Sequence, residues 1–181
     1  MAISLRPFTP DDFDRLIGWV NGAGVEFLVQ WAGTEFEYPL DRAQLETFYA
    51  ESQSPGAKHL SYAAVDDATG DVVGHVELAR IDRRNRSASV ARLLVGDAAQ
   101  RGKGIGAQIV TALLDIAFGE LELHRLDLYV IDFNLAAIRL YESLGFKTEG
   151  HFVSARRVGE KYWNVYAMAL LEDTWRERSA G

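Results

Sequence analysis

The chain has 181 residues, with 19 Lys and Arg against 26 Asp and Glu, for a formal net charge of −7. At ~150 residues per domain this length fits one domain over residues 1–181, and 48% hydrophobic residues supply a real core, which excludes a disordered chain. There is no cysteine, so disulfides, thiolate metal sites and any thiolate nucleophile are excluded.

The N-terminus, MAISLRPFTPDD, turns acidic by Asp11 instead of continuing into an apolar leader. No run approaches the ~20 apolar residues needed to cross a bilayer, so the expectation is a cytoplasmic protein without membrane contact. Arg83, Arg84 and Arg86 form only a short basic turn, which is too little for the footprint of a nucleic-acid binder.

Ile3 to Arg6 alternates as a strand. Thr9-Pro10-Asp11-Asp12 then opens a helix reaching about Val20, with an N-cap, a proline at the first helical position and acids in the first turn. Residues 21–39 read as irregular structure with at most a short helix, aromatic-rich through Phe27, Trp31, Phe36 and Tyr38. A loop this long is usually functional. Asp41 caps a helix to about Ser52, and a three-stranded antiparallel meander follows: His59 to Val65, Val72 to Ile81 and Ser87 to Val95. The helix from Gly102 to about Phe118 is apolar nearly all round and should be buried. Leu126 to Ile131 is a strand and Asn134 to Leu144 a helix, and Phe146 to His151 and Tyr162 to Leu170 close the sheet ahead of a polar tail from Glu172. The expected fold is a single α/β domain with a mixed, mainly antiparallel sheet of about seven strands and helices on both faces. Tyr162, Trp163, Tyr166 and the charged tail suit a homodimer contact as readily as the last strand's own packing.

The most informative segment is Leu93-Leu94-Val95, a strand end, followed by Gln100-Arg101-Gly102-Lys103-Gly104-Ile105-Gly106. Three glycines in five positions open directly into the buried helix, where backbone N–H groups and the helix dipole favour an anion and Arg101 and Lys103 add positive charge. Gly102-x-Gly104-x-x-Ala107 also satisfies the dinucleotide fingerprint. That motif normally opens a series of parallel βαβ units with a ribose-binding acid at the end of the next strand. Here a meander precedes it, and Asp127 lies near the start of its strand.

These residues resemble the GCN5-related N-acetyltransferase superfamily, whose Q/R-x-x-G-x-G/A motif is matched by Gln100/Arg101 through Gly106. A second match is Asn134, followed seven residues later by Tyr141 and then by Gly145-Phe146. The resemblance covers essentially the whole chain; in length and ending the chain is similar to the ribosomal-protein N-terminal acetyltransferase branch. It implies acetyl-CoA as the donor, no metal, and direct transfer to a primary amine of a small molecule or a protein N-terminus. By the same resemblance, the amides of Arg101 to Gly106 hold the CoA pyrophosphate, Leu93 to Val95 pair with the pantetheine arm like an added strand, Asn134 contacts that arm, and Tyr141 protonates the departing thiolate. Helical spacing allows this, since positions 134, 137, 138 and 141 share one face. A non-catalytic acyl-CoA-binding module on the same fold is the alternative.

An ammonium acceptor must lose a proton before attack, so a base is sought. His75 and Glu77 share one strand face, and a hairpin centred on Arg84 sets Glu77 opposite Ala91 and His75 opposite Leu93. Glu77 is the expected base, with a solvated or ion-paired carboxylate as its alternative, and His75 is a lesser proton relay. The strand leading into the glycine turn, Ser87 to Arg92, has no acid of its own. The resemblance further implies that the segment holding Glu26, Phe27, Trp31, Phe36 and Tyr38 forms one wall of the acceptor cleft; Glu26, Trp31 and Tyr38 are the expected acceptor-binding residues, since aromatics with a carboxylate suit a cation, with a simple hydrophobic lid as the alternative. Polyamines, amino sugars and amino-acid derivatives all stay open as acceptors.

Overall fold

In the computed structural model, which describes residues 2–179, seven strands form one sheet in the order β1-β2-β3-β4-β5-β7-β6. The strands are β1 (Ile3–Pro7), β2 (Leu60–Asp66), β3 (Val72–Asp82), β4 (Ser87–Val95), β5 (Arg125–Ile131), β6 (Lys147–Val158) and β7 (Lys161–Leu171). All neighbours are antiparallel except β4 and β5.

Helices cover both faces, as the apolar periodicity demands. On one side α1 (Phe13–Ala23), α2 (Val25–Ala32) and α3 (Arg42–Ser52) build a core around Phe13, Leu16, Leu28 and Leu45. On the other, α4 (Ile105–Leu114) presses Ile109, Val110 and Leu113 against the sheet, and α5 (Leu135–Ser143) contributes Tyr141. Each fully buried Leu, Ile or Phe contributes about 1.5–3 kcal/mol.

Thr9 starts a short 3-10 turn with a reciprocal capping box to Asp12, and α1 follows it directly. Asp41 caps α3 by accepting from the Gln44 amide at 2.9 Å. Three elements differ from the sequence expectation. The aromatic segment after Asn21 is mostly helical, since α1 runs on to Ala23 and a single positive-φ glycine, Gly24, separates it from α2. β6 extends to Val158, past the expected end at His151, because a break in register between Phe152 and Arg156 hides its continuation from a strict two-residue period. The polar tail forms α6 (Glu172–Ser179), docked by Trp175 on Phe118 with ring centroids 5.4 Å apart and by Arg178 donating to the Ser143 carbonyl at 2.6 Å.

Trp163 and Tyr166 are taken up by packing within the molecule, against Phe133 and His151, whereas Tyr162 is exposed. Among the described residues no helix is long and apolar enough to cross a membrane.

Candidate active site

β4 pairs with β5 only at Ser87, Ala88 and Ser89, opposite Arg125, Leu126 and Asp127. Beyond these pairs the strands part, so the backbone groups of Val90 to Val95 on that side have no neighbouring strand. Three connected cavities occupy the opening.

The first, about 520 Å³, lies between the end of β4 and the start of α4 and is bordered by Leu93, Leu94, Val95, Gln100 and Arg101 with Gly102, Gly104 and Gly106. Gly102 and Gly104 have φ of +76° and +81°, a region L side chains rarely adopt, and a methyl group at either would project into open space. Open space over a helix N-terminus suits an anion. Arg101 is steadied by donating from Nε to the Val95 carbonyl at 3.3 Å. A CoA pyrophosphate fits these groups. Two expected contacts lie elsewhere: Lys103 is exposed outside the cavity, and the Ile105 side chain is buried in the core, so only its backbone is available.

The second cavity, about 120 Å³, shares Asn134 and Ala137 with the first and adds Trp31, Ala91, Ile131 and Tyr141. Asn134 Oδ1 caps α5 by accepting from the Ala137 amide at 3.2 Å, so capping and a place in the cleft coexist. Tyr141 is 7% exposed, and burial raises its pKa well above the ordinary phenol value. It therefore keeps its proton throughout the physiological pH range.

Glu77 has the expected register, opposite Ala91, but its surroundings do not suit a base. Its Oε1 accepts from His75 Nε2 at 2.9 Å, and its Oε2 accepts from Arg92 Nε at 2.6 Å and Nη2 at 2.5 Å. Burial alone would raise the carboxyl pKa, yet Arg92 and His75 together hold it down to about 2. Neither Glu77 nor His75 borders the cavities of the cleft, and both side chains are 2% exposed. A bulge in β4 sets His75 opposite Leu94 instead of Leu93 and gives Arg92 a φ of +49°.

The third cavity, about 220 Å³, shares Trp31, Val90, Ala91 and Arg92 with the second and adds Glu35, Arg80 and Arg156. Of the expected acceptor residues only Trp31 reaches the cleft. Glu26 is exposed on α2 and Tyr38 is 46% exposed in the following loop, and neither borders the three cavities. The α2 face that does enter is Phe27, Gln30 and Trp31. Helical spacing of three and four residues was the available signal for Phe27 and Gln30. Among the described residues no group of three or more His, Asp or Glu side chains is placed to hold a metal ion.

A profile described as the acetyltransferase (GNAT) family matches residues 25–146. Spermidine N(1)-acetyltransferase of Vibrio cholerae serotype O1 is 34% identical over 115 residues, 64% of this chain and 65% of that protein, so this match spans just under two thirds of the relative's length. Aminoglycoside N(6')-acetyltransferase type 1 of Klebsiella pneumoniae is 28% identical over 156 residues, 82% of this chain and 76% of that one. The crystal structure of spermidine N-acetyltransferase from Vibrio cholerae in complex with CoA and spermine superposes with a TM-score of 0.82 at 26% identity, covering 96% of this chain and 98% of the other.

Proposed function

The chain belongs to the GNAT family of acetyltransferases, and from that membership we propose that it moves the acetyl group of acetyl-CoA directly to a primary amine held in the cleft between β4 and β5. The observation that carries this reading is the continuity of the cleft: the glycine cradle opens through Asn134 and Ala137 into the chamber of Tyr141, which opens in turn toward Trp31 and the arginines.

Acetyl-CoA supplies an activated acyl group and a thiolate leaving group. The amides from Arg101 to Gly106 bind its pyrophosphate, and the unpaired edge of β4 beyond Ser89 takes its extended arm as a strand would be taken. As the N–C bond forms, the C–S bond breaks. The proton lost by nitrogen balances the proton gained by sulfur, for which the Tyr141 hydroxyl is the donor at hand.

Among the described residues no Asp, Glu or His side chain lines the second cavity, so the acceptor reacts as the free amine and its proton leaves through the open end of the cleft. Because the unprotonated amine is the nucleophile, kcat/KM rises with pH until the acceptor's own pKa is passed, and acceptors of different pKa shift that limb. A limb that stays fixed across acceptors points to a base on the protein instead. Spermidine and an aminoglycoside are named for relatives of this chain, so family membership leaves the class of amine open, whether small molecule or protein N-terminus.

The direct test is thiol release from acetyl-CoA over a panel of amines. Tyr141→Phe keeps the fold and acetyl-CoA binding and lowers kcat by about 10²-fold, the lower end of what a positioned proton donor supplies. Unchanged kcat removes Tyr141 from the mechanism, and absence of thiol release with every amine removes the function.

A further inference from the structure

Three guanidinium groups and one carboxylate line the third cavity, and their pairing is unequal. Arg92 is neutralised by Glu77 and lies over the Phe48 ring at 4.9 Å, with Glu35 a further 3.9 Å neighbour. Arg80 is neutralised by Asp127 at 2.9 Å, donates to Ser89 and lies over the Tyr129 ring at 4.7 Å. Arg156, by contrast, has no carboxylate within 4.0 Å among the described residues, although it is half-buried and borders the cavity.

Its position is built. β6 breaks register between Phe152 and Arg156, and Ser154 in the break has a φ of +53° with its amide donating to Asn164 Oδ1 at 2.8 Å. Asn164 Nδ2 is tied in turn to Asp132 at 2.8 Å. The redirected strand lays the Arg156 guanidinium on Gly33 at the end of α2, where a methyl group would overlap Nη1. Among the described residues this guanidinium has free hydrogen-bonding capacity, and it lines a chamber that leads to Tyr141.

Resting on the acetyltransfer reading above, we infer that the acceptor is a small primary amine that also carries a carboxylate, and that Arg156 binds this carboxylate. A guanidinium presents two parallel N–H groups that match a carboxylate edge, whereas it repels a polyamine, whose every functional group is cationic. Glu35, the one carboxylate lining this cavity among the described residues, has a side chain 45% exposed and so largely screened by water, whereas Arg156 is half-buried. The bond changes of the transfer are those already given; Arg156 positions the acceptor and takes no proton.

The experiment measures kcat/KM with acetyl-CoA and paired acceptors: common L-amino acids, β-alanine and 4-aminobutyrate, each beside its carboxamide, together with spermidine and a short peptide. A carboxylated amine should have the highest kcat/KM of the panel. Arg156→Gln should lower it about 10–100-fold, chiefly through KM, while leaving the matching carboxamide and the KM for acetyl-CoA essentially unchanged. Arg156→Lys should recover part of the loss. Because each pair is compared in both proteins, the difference in amine pKa within a pair cancels. The inference is overturned if spermidine, the peptide or a carboxamide is the best acceptor, or if Arg156→Gln lowers both members of a pair alike; acetyltransfer itself then stands. If no amine releases thiol, the acetyltransfer reading fails and this inference falls with it.

Discussion

His75 and Glu77 on β3 and Arg92 on β4 form a buried hydrogen-bonded chain, and its chemistry is structural before it is catalytic. Removing one member leaves the others desolvated without compensation, which costs about 3–5 kcal/mol. Glu77→Gln should therefore lower unfolding free energy by that order in urea with little change in denaturant slope, and the double replacement Glu77→Gln with Arg92→Met should recover much of it. The folded carboxyl sits at about 2 against an ordinary 4.5, a depressed value. Its contribution is thus fully present above pH 4.5 and is lost as pH falls from there toward 2. Acid unfolding followed by tryptophan fluorescence should be shallower over that window in Glu77→Gln. The presence of His75 and Glu77 on one strand face was legible in the chain. Their partner Arg92 was not, because it reaches them from a bulge at φ +49°, and an arginine at positive φ gives no sequence warning where a glycine would.

The glycine turn and α5 are the elements that the sequence describes best. Glycine spacing and helix periodicity are local signals, and both elements meet at the cleft with Asn134 and Tyr141 on its wall. Gly104→Ala tests the proposed cradle: an L side chain at φ +81° costs about 1–2 kcal/mol, and its methyl group projects into the open space proposed for the anion. The KM for acetyl-CoA should rise about tenfold, the worth of one charge-assisted hydrogen bond, with kcat little altered. α2 shows the opposite case. The family resemblance and residue type singled out Glu26, Trp31 and Tyr38 within that segment, but the helix phase selects Phe27, Gln30 and Trp31, and phase is unknown until the helix is placed. Arg156 was missed for the same reason as Arg92, since the β6 bulge at Ser154 cancels the alternation that would assign it a face.

At the scale of the whole molecule, strand and helix order followed from hydrophobic period, while the parting of β4 from β5 did not, because it is a long-range property of two strands separated by α4. Ligand linkage gives a global readout. Acetyl-CoA at about 100 times its dissociation constant adds about 2.7 kcal/mol to stability, which for a domain this size raises Tm by about 5–11 °C. Among the described residues, the three strand pairs between Ser87–Ser89 and Arg125–Asp127, with the His124 and Arg125 amides donating to the Arg86 carbonyl at the same end, join the backbone of a four-strand plate, β1 to β4, to that of a three-strand plate, β5 to β7. Such a sheet is a clasp closed at one end, so amide exchange with solvent is expected to be uneven along β4. Its opening residues keep their protons, and the amides from Val90 to Val95 that face the gap exchange quickly until a cofactor arm bridges the plates. Deuterium uptake along that one strand then becomes a ruler of occupancy, and slow uptake over its full length without ligand would show that the plates are already latched.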